Sequence, residues 1–273
     1  MRSNATPNES SPSLDPANAI SMPCPAVSII TPTANRHRFL PAIARCVMRQ
    51  TTAWEWLVHD DSPEPSPFMQ ALAASDSRVR YWHDGSRRHS IGAKRNRLIA
   101  ESGAPIIAHF DDDDHYAAHY LSDMTRLMQT HGADLIKLSE FYSYAPHTDF
   151  FGYMDLNAKT GLHYALTGKT VEQIEFHDTM QIGADFLLFY GFSYVYRKSL
   201  AERYAFEDVN LYEDERFIKA AVANHAKVIA VDDRAASCLH LIHPASTSRC
   251  FSRFQLPAFL IQRLFPLFEG YPN

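Results

Sequence analysis

Apolar runs alternate with helix-spaced apolar positions over the first 120 residues. Short β-branched runs predict buried strands, and apolar residues spaced three or four apart predict helices. The strands are predicted at 27–32, 54–59, 78–82 and 105–110, and the helices at 39–50, 67–75 and 91–102. Elements that alternate in this way are joined by crossovers and form a mostly parallel sheet. The pattern therefore predicts an α/β fold.

The pattern is less regular after residue 120. The predicted elements, two helices and three strands, cover 120–130, 133–141, 192–196, 213–224 and 226–231. Segment 145–178 mixes glycine, aromatic and polar residues, which is typical of loops and short strands that cover a cleft. An acceptor wall and core packing are alternatives for the aromatic residues of 142–164. Because no linker separates the halves, we predict one compact domain.

Both ends of the chain depart from this pattern. Residues 1–25 are rich in serine and proline and lack the apolar centre of a signal peptide. We expect a disordered tail there, because little apolar surface offsets the entropy of ordering it. The apolar C-terminal segment, 251–273, is interrupted by Pro257 and Pro266, so a single long helix is not expected. Packing onto the domain, a homodimer contact and a peripheral membrane contact are alternatives for it.

Composition and charge narrow the class of protein. The chain has 273 residues, of which 46% are hydrophobic, and this is enough apolar material for a real core. Its 26 basic and 31 acidic residues give a net charge of −5, without the basic excess of a nucleic-acid-binding protein. Four scattered cysteines favour free thiols. With no apolar run long enough to span a bilayer, we expect a cytoplasmic protein, with the inner face of the cell membrane as the alternative.

Acidic residues follow two of the predicted strands. Asp60 and Asp61 follow the second strand, and the run 111–114 contains four adjacent aspartates after the fourth. Ligands of open parallel sheets bind beyond the carboxyl ends of the strands. If both strands point the same way, these acids therefore gather at one mouth of the fold.

Four adjacent carboxylates repel one another unless a cation neutralises them. Oxygen ligands suit Mg²⁺ or Mn²⁺. In an extended chain Asp111 and Asp113 face one side, and Asp112 and Asp114 face the other. We therefore expect a D-x-D pair on the cation, with the two neighbours bonding the backbone or capping the next helix. A solvated loop is the alternative interpretation.

Four segments carry a resemblance to a known family. They are VSIITPTANR at 27–36, LVHDDS at 57–62, GAKRN at 92–96 and FDDDD at 110–114. In this order they resemble the family 2 nucleotide-sugar glycosyltransferases, closely over 26–120 and more loosely beyond. The resemblance implies a GT-A-type, Rossmann-like mixed sheet flanked by helices. It also implies a nucleotide-sugar-binding half at 26–120 and an acceptor-binding, catalytic-base half at 121–250.

The resemblance implies metal-dependent inverting transfer from a nucleotide sugar. A UDP-sugar donor and a saccharide or lipid-linked acceptor are expected, in surface glycan synthesis. The loop after the first strand matches the nucleoside pocket, Asp61 matches the carboxylate that reads the uracil ring, and Asp111 lies near the ribose or sugar. The donor-binding residues implied are Thr31, Pro32, Thr33, Asn35, Arg36, Asp61, Lys94, Arg95, Asn96, Asp111 and Asp112.

Two downstream segments complete the resemblance. LYEDERF at 211–217 is similar to the family's E-D motif, which makes Asp214 the expected general base and Glu213 the second candidate. Acids that merely suit a helix N-terminus are the alternative. HPASTS at 243–248 is similar to a closing His-x-x-x-x-Ser pattern, although proline replaces the usual glycine. The implied ligands of Mn²⁺ or Mg²⁺ are Asp111, Asp113 and His243, and His240 competes with His243.

Two other function classes are alternatives to a glycosyltransferase. A nucleotidyltransferase usually has a glycine-rich phosphate loop after its first strand, and 31–36 contains no glycine. A non-catalytic nucleotide- or glycan-binding protein of this fold would be indicated by loss of the D-x-D or E-D acids, and both motifs are present.

Overall fold

A computed structural model describes residues 24–177, 187–246 and 249–270. The expected disordered tail falls outside these residues, apart from its last two. All four cysteines lie within them and are free, as the sequence predicts. Within the described ranges, no helix combines the length and the apolar character needed to cross a bilayer.

Strands and helices alternate in the first half of the chain. In order they are β1 (Val27–Thr33), α1 (Leu40–Met48), β2 (Trp54–Asp60), α2 (Pro67–Ser75), β3 (Val79–His83), α3 (Ile91–Glu101) and β4 (Ile106–His109). Each lies within two residues of its predicted bounds. Serine hydroxyls cap two of the helices: Ser66 accepts the N–H of Met69 at the start of α2, and Ser90 accepts that of Ala93 in α3.

The middle of the chain contains short strands around one longer helix. These elements are β5 (His115–Tyr116), α4 (Tyr120–His131), β6 (Leu135–Leu138), β7 (Glu140–Ala145), β8 (Phe150–Asp155), β9 (Gly161–Leu166) and β10 (Val171–Phe176). The single strand predicted at 133–141 is wrong, since β6 and β7 belong to different sheets. The chain passes from one sheet to the other at Ser139, whose N–H donates to the carbonyl of Val231 in β12 and whose carbonyl accepts the N–H of Leu156 after β8.

The last part of the chain returns to the central sheet and then leaves it. Its elements are β11 (Val195–Arg197), α5 (Lys198–Arg203), α6 (Glu213–Ala223), β12 (Val228–Val231), β13 (Cys238–Leu241), β14 (Cys250–Ser252), β15 (Phe254–Leu256) and α7 (Leu260–Leu264). The strand predicted at 192–196 begins later, because residues 191–193 form a 3-10 turn instead.

Seven strands form the central sheet, in the order β12-β6-β11-β4-β1-β2-β3. All neighbours are parallel except β11, which is antiparallel to β4 and β6. The predicted mixed, mostly parallel α/β sheet is confirmed. Strands from both predicted halves lie in this one sheet. Two smaller sheets, β15-β8-β7-β13-β5 and β10-β9-β14, complete the fold.

Helices cover both faces of the central sheet. Successive side chains of β1 enter different cores: Ile29 packs in the core that includes α1, α2 and α4, and Ile30 packs in the core that includes α3, α5 and α6. This alternation is the period of two expected of a strand. The helices pack on the two faces of the sheet, so the carboxyl ends of β1, β2 and β4 are left available for a site.

The C-terminal segment packs partly onto the domain. Ile261, Phe265 and Phe268 are buried in a third core with side chains of β8 and β13. Packing therefore accounts for these residues. Phe254 and Phe259 are 54% and 76% exposed. A homodimer or membrane contact through them stays a prediction.

A methyl group at Gly92 would collide with the segment before α6. A Cβ built there lies 1.8 Å from the carbonyl oxygen of Glu207. We expect Gly92→Ala to lower the free energy of unfolding by about 1–3 kcal/mol, because the backbone must move to relieve the overlap. Urea unfolding measures this. Ala100→Ser, on the exposed face of the same helix, should change the value by less than about 0.5 kcal/mol, and equal losses in both variants would contradict the prediction.

Asp233 shapes the turn between β12 and β13. Its carboxylate accepts the N–H and hydroxyl of Ser237 and the N–H of Cys238. Burial nevertheless raises the pKa of Asp233 to about 7. Between about pH 4 and 7 the folded state therefore binds more protons than the unfolded state, and this contribution to stability falls as pH rises.

The Asp233→Asn variant lacks this titration. We expect the stability of the natural protein relative to this variant to decrease from about pH 4 to about pH 7. Urea unfolding of both proteins across that range measures the difference. Asp155→Asn, at a partly exposed turn, is the control. A difference that does not change with pH would show that Asp233 titrates normally.

Candidate functional site

Two joined cavities open near the carboxyl ends of β1, β2 and β4. The first has a volume of about 430 Å³ and the second about 640 Å³. Eight of the eleven residues predicted to bind a donor line the first cavity: Pro32, Thr33, Arg36, Asp61, Lys94, Arg95, Asp111 and Asp112. These eight are half of the sixteen residues that line the cavity, and their role in donor binding stays a prediction.

Three predicted donor-binding residues lie elsewhere. The Thr31 hydroxyl donates to the carbonyl of Phe110 inside the sheet. Both polar atoms of the Asn96 amide bond the backbone of Phe206. Asn35 is exposed and takes a left-handed backbone conformation, with φ of 57°. Their placement does not support the expected donor contacts, because these residues shape the surroundings of the cavity and do not line it.

Asp61 and Lys94 form a buried pair in the first cavity. Lys94 Nζ lies 3.0 Å from Asp61 Oδ1, and the N–H of His89 donates to Oδ2 at 2.7 Å. Burial opposes ionisation, but these donors hold the pKa of Asp61 below its usual range. The cavity therefore contains a charged acceptor in a fixed orientation.

The four aspartates after β4 form a turn. The N–H of Asp114 lies 3.4 Å from the carbonyl oxygen of Asp111, which closes the turn. The expected alternation of an extended chain is therefore wrong. Oxygens of Asp111, Asp113 and Asp114 lie within 4.8 Å of one another. Asp112 is not part of this group: it accepts from the hydroxyl of Thr33, and it shares the guanidinium of Arg36 with Asp113.

The charges of this turn favour a bound cation. Burial and neighbouring carboxylates raise the pKa of Asp111 to about 7 in spite of Arg95. Burial and Asp113 raise the pKa of Asp112 to about 6. A hard divalent cation among three carboxylate oxygens would relieve this repulsion, so the residues present fit Mg²⁺ or Mn²⁺.

Histidines from the end of β13 and the loop after it reach two of these aspartates. His243 Nε2 lies 2.8 Å from Asp113 Oδ2, and its Nδ1 accepts the N–H of Ala245. Because Nδ1 accepts, Nε2 donates to Asp113, and His243 orients that carboxylate. Its expected role as a metal ligand stays a prediction. The last two residues of the predicted closing motif, 247–248, lie outside the described residues.

His240 lies at the junction of the two cavities. Its Nδ1 lies 2.9 Å from both oxygens of Asp114, and its ring stacks on Phe192 at 4.5 Å. Asp114 raises the pKa of His240 although burial opposes the charge. Its buried Nε2 has no partner in the described part of the chain, and the residue lines both cavities. Asp114 is not among the ligands predicted from the sequence, and His240 is predicted there only as a competitor of His243.

The second cavity combines aromatic and acidic side chains. Its aromatic lining comes from Phe189, Tyr190, Phe192, Tyr212 and Phe251. The sequence offered the aromatic residues of 142–164 as an alternative for such a wall. Of these, Tyr142 packs against Phe151 and Tyr153 of β8 and against Phe265, which follows α7. The wall is therefore built from segments that are distant in sequence.

The two candidate base residues at the start of α6 have different surroundings. Glu213 is buried against Arg95 in a short ion pair, and Arg95 also lies 3.7 Å from Asp111. Asp214 lines the second cavity, and its Oδ2 accepts the N–H of Gly191 at 2.7 Å. Asp214 has an oriented carboxylate without a cationic partner in the described residues, whereas Glu213 is occupied by Arg95.

Comparison with known proteins agrees with this geometry. Residues 28–201 match the family model described as Glycosyl transferase family 2. Curated proteins give no significant match.

Solved structures share the fold at low sequence identity. Residues 1–349 of S. aureus TarS match with a TM-score of 0.59 and 16% identity, over 79% of this chain and 60% of that one. The complex of that fragment with UDP-GlcNAc gives 0.58 and 15%, over 81% and 59%. Mannosyltransferase PcManGT from Pyrobaculum calidifontis, in complex with GDP-Man and Mn²⁺, gives 0.57 and 13%, over 80% and 57%. The chain thus spans about 60% of the length of these structures.

Proposed function

The chain belongs to glycosyl transferase family 2, and from this premise we propose that it transfers a sugar from a UDP-sugar, with Mn²⁺ or Mg²⁺, to a saccharide or lipid-linked acceptor. The observation that carries the proposal is the junction of the two cavities. Arg95, Asp111 and His240 line both of them. A donor in the first cavity and an acceptor in the second would therefore meet at these residues.

The first cavity is proposed to bind the nucleotide. Asp61 has an ionised, buried carboxylate whose oxygens can accept the imide N–H of uracil in addition to their present bonds. Structures of similar fold contain UDP-GlcNAc in one case and GDP-Man in another. The acceptor character of Asp61 fits the imide N–H of uracil, which is the base we propose.

The aspartate turn is proposed to hold the cation and the diphosphate. Asp111, Asp113 and Asp114 would supply the oxygen ligands. When bound, the cation supplies positive charge that neutralises the leaving nucleoside diphosphate. Arg36 bonds Asp112 and Asp113 and orients them. We assign His243 to orienting Asp113, since its proton points to that carboxylate.

The second cavity is proposed to bind the acceptor. Asp214 would take the proton of the attacking hydroxyl, and the transferred sugar would lie between it and the aspartate turn. This places the base and the leaving group on opposite sides of the sugar, as inversion requires. Residues 26–120 supply most of the donor side and 121–250 most of the acceptor side. We propose a role in surface glycan synthesis for the enzyme.

A panel of nucleotide sugars tests the proposal. With Mn²⁺ and a mixture of saccharide acceptors, we expect release of UDP from one UDP-sugar and a rise in melting temperature with that donor. Omission of the metal should abolish the release of UDP and reduce the rise in melting temperature. Pyrophosphate release would identify a nucleotidyltransferase, and donor binding without any release would identify a binding protein. Either result would overturn the proposal.

A further inference from the structure

Two buried side chains, those of Lys137 and Tyr194, donate hydrogen bonds to the backbone of residues 187–189. Lys137 Nζ donates to the carbonyl oxygens of Leu187 and Phe189 at 2.6 and 2.5 Å. The hydroxyl of Tyr194 donates to the carbonyl oxygen of Leu188 at 2.5 Å. Three consecutive carbonyls therefore accept bonds from side chains of the central sheet and the turn before β11.

The next two carbonyls are bonded in the same manner. The hydroxyl of Ser193 lies 3.4 Å from the carbonyl oxygen of Tyr190, and His109 Nδ1 lies 2.9 Å from that of Gly191. The inner side of segment 187–191 is thus fixed along its whole length. Its outer side faces the second cavity, where residues 189–191 form part of the wall.

Lys137 is an unusual residue in the middle of a sheet. It lies on β6 with no exposed surface, and Ile136 and Leu138 beside it pack in the opposite core. No carboxylate among the described residues forms an ion pair with it. An ammonium group loses several kcal/mol of hydration when it is buried, and burial lowers the pKa of Lys137 to about 7. A neutral amine still has two N–H groups, so both bonds to the segment persist in either state.

The held segment contains strained backbone next to the candidate base. Tyr190 has a φ of 69°, a conformation that is costly for an aromatic residue. Its hydroxyl donates to the carbonyl of Arg249 at 2.7 Å. The N–H of the following Gly191 donates to Asp214, and a Cβ at Gly191 would lie 2.6 Å from the same carboxylate oxygen. A small shift of this segment would therefore move both the aromatic wall and Asp214.

We propose that Lys137 is a positioning residue for the acceptor side of the reaction. By holding the carbonyls of Leu187 and Phe189, it fixes the wall of the second cavity and the N–H that orients Asp214. The inference rests on the proposed function, because it assigns the acceptor to that cavity. Lys137 touches neither the first cavity nor the aspartate turn, so donor binding should not depend on it.

The test compares Lys137→Met with Lys137→Gln. Methionine keeps the length of the side chain and removes both N–H donors, and glutamine restores a neutral donor group. We expect Lys137→Met to lower kcat/KM for the acceptor at least about tenfold, with UDP affinity in Mn²⁺ unchanged. Lys137→Gln should recover part of the loss. Lys198→Met removes another lysine that donates to a carbonyl, that of Ser102, and should leave transfer unchanged.

Hydrogen exchange gives a readout that does not depend on activity. Amides of 187–192 should exchange faster in Lys137→Met than in the natural protein, and amides of the loop 31–36 should not. Unchanged exchange and unchanged acceptor kinetics would overturn the inference, as would an equal loss of donor and acceptor binding. If the natural protein releases no UDP from any donor, the proposed function fails, while the exchange result still decides whether Lys137 holds the segment.

Discussion

Asp214→Asn is expected to slow sugar transfer by about 10²–10⁴-fold, the usual contribution of a general base. Asparagine has nearly the same shape, but its amide cannot take the proton of an acceptor hydroxyl. UDP affinity in the presence of Mn²⁺ should change little, because Asp214 lines only the second cavity. Steady-state kinetics with the donor and acceptor found in the panel, together with calorimetric UDP binding, measure both quantities.

Two further variants make this result interpretable. Asp123→Asn, at a surface ion pair of α4, should transfer at the natural rate. Glu213→Gln breaks the pair with Arg95, so we expect it to weaken donor binding because Arg95 lines both cavities. If Asp214→Asn loses UDP binding and Glu213→Gln loses only turnover, the roles of the two carboxylates are exchanged.

Asp113→Ala is expected to lower transfer and donor hydrolysis by about a hundredfold or more, because it removes one of three oxygen ligands from the proposed cation site. It also removes the shared partner of Arg36 and His243. The metal-dependent part of UDP affinity should disappear, and the affinity measured without metal should change much less. Titration of UDP with and without Mn²⁺ separates the two contributions.

The protein should remain folded in this experiment. Removing Asp113 relieves part of the repulsion within the turn, but Arg36 and the buried His243 lose this carboxylate as a partner. We therefore expect Asp113→Ala without metal to keep a cooperative unfolding transition at a lower melting temperature than the natural protein. Asp123→Ala is the matched control. Full activity of Asp113→Ala, or a metal response equal to that of the natural protein, would contradict the assignment of the cation to this turn.

Local pattern determined the parallel part of the fold and the first cavity. The strands at 27–32, 54–59 and 105–110 end at polar residues, and parallel strands bring such ends to one edge of the sheet. Asp61 and the aspartate run are therefore expected near each other from the sequence. The predicted conformation of the run was wrong, because a period of two applies to a strand and residues 111–114 form a turn.

Long-range pairing decided the remainder of the site. His240 reaches Asp114 because β13 pairs with β5, an adjacency between strands more than 120 residues apart that no local period encodes. The surroundings of Asn96 also depend on long-range contacts, because the segment at Phe206 returns to α3 and bonds both polar atoms of the amide.

The sequence by itself determined the α/β class and the family, and it brought together half of the residues that line the first cavity. These follow from apolar spacing and from acids at strand ends, which are local properties of the chain. The tertiary structure alone decided that Asp114 lies with Asp111 and Asp113 in the group that could hold a cation, and that Lys137 bonds the carbonyls of Leu187 and Phe189. It also decided that Glu213 forms an ion pair with Arg95, whereas the carboxylate of Asp214 accepts the N–H of Gly191. Each of these contacts joins side chains that are distant in sequence and that the order of the strands and the loops between them bring within hydrogen-bond distance. Local sequence periodicity does not contain this information.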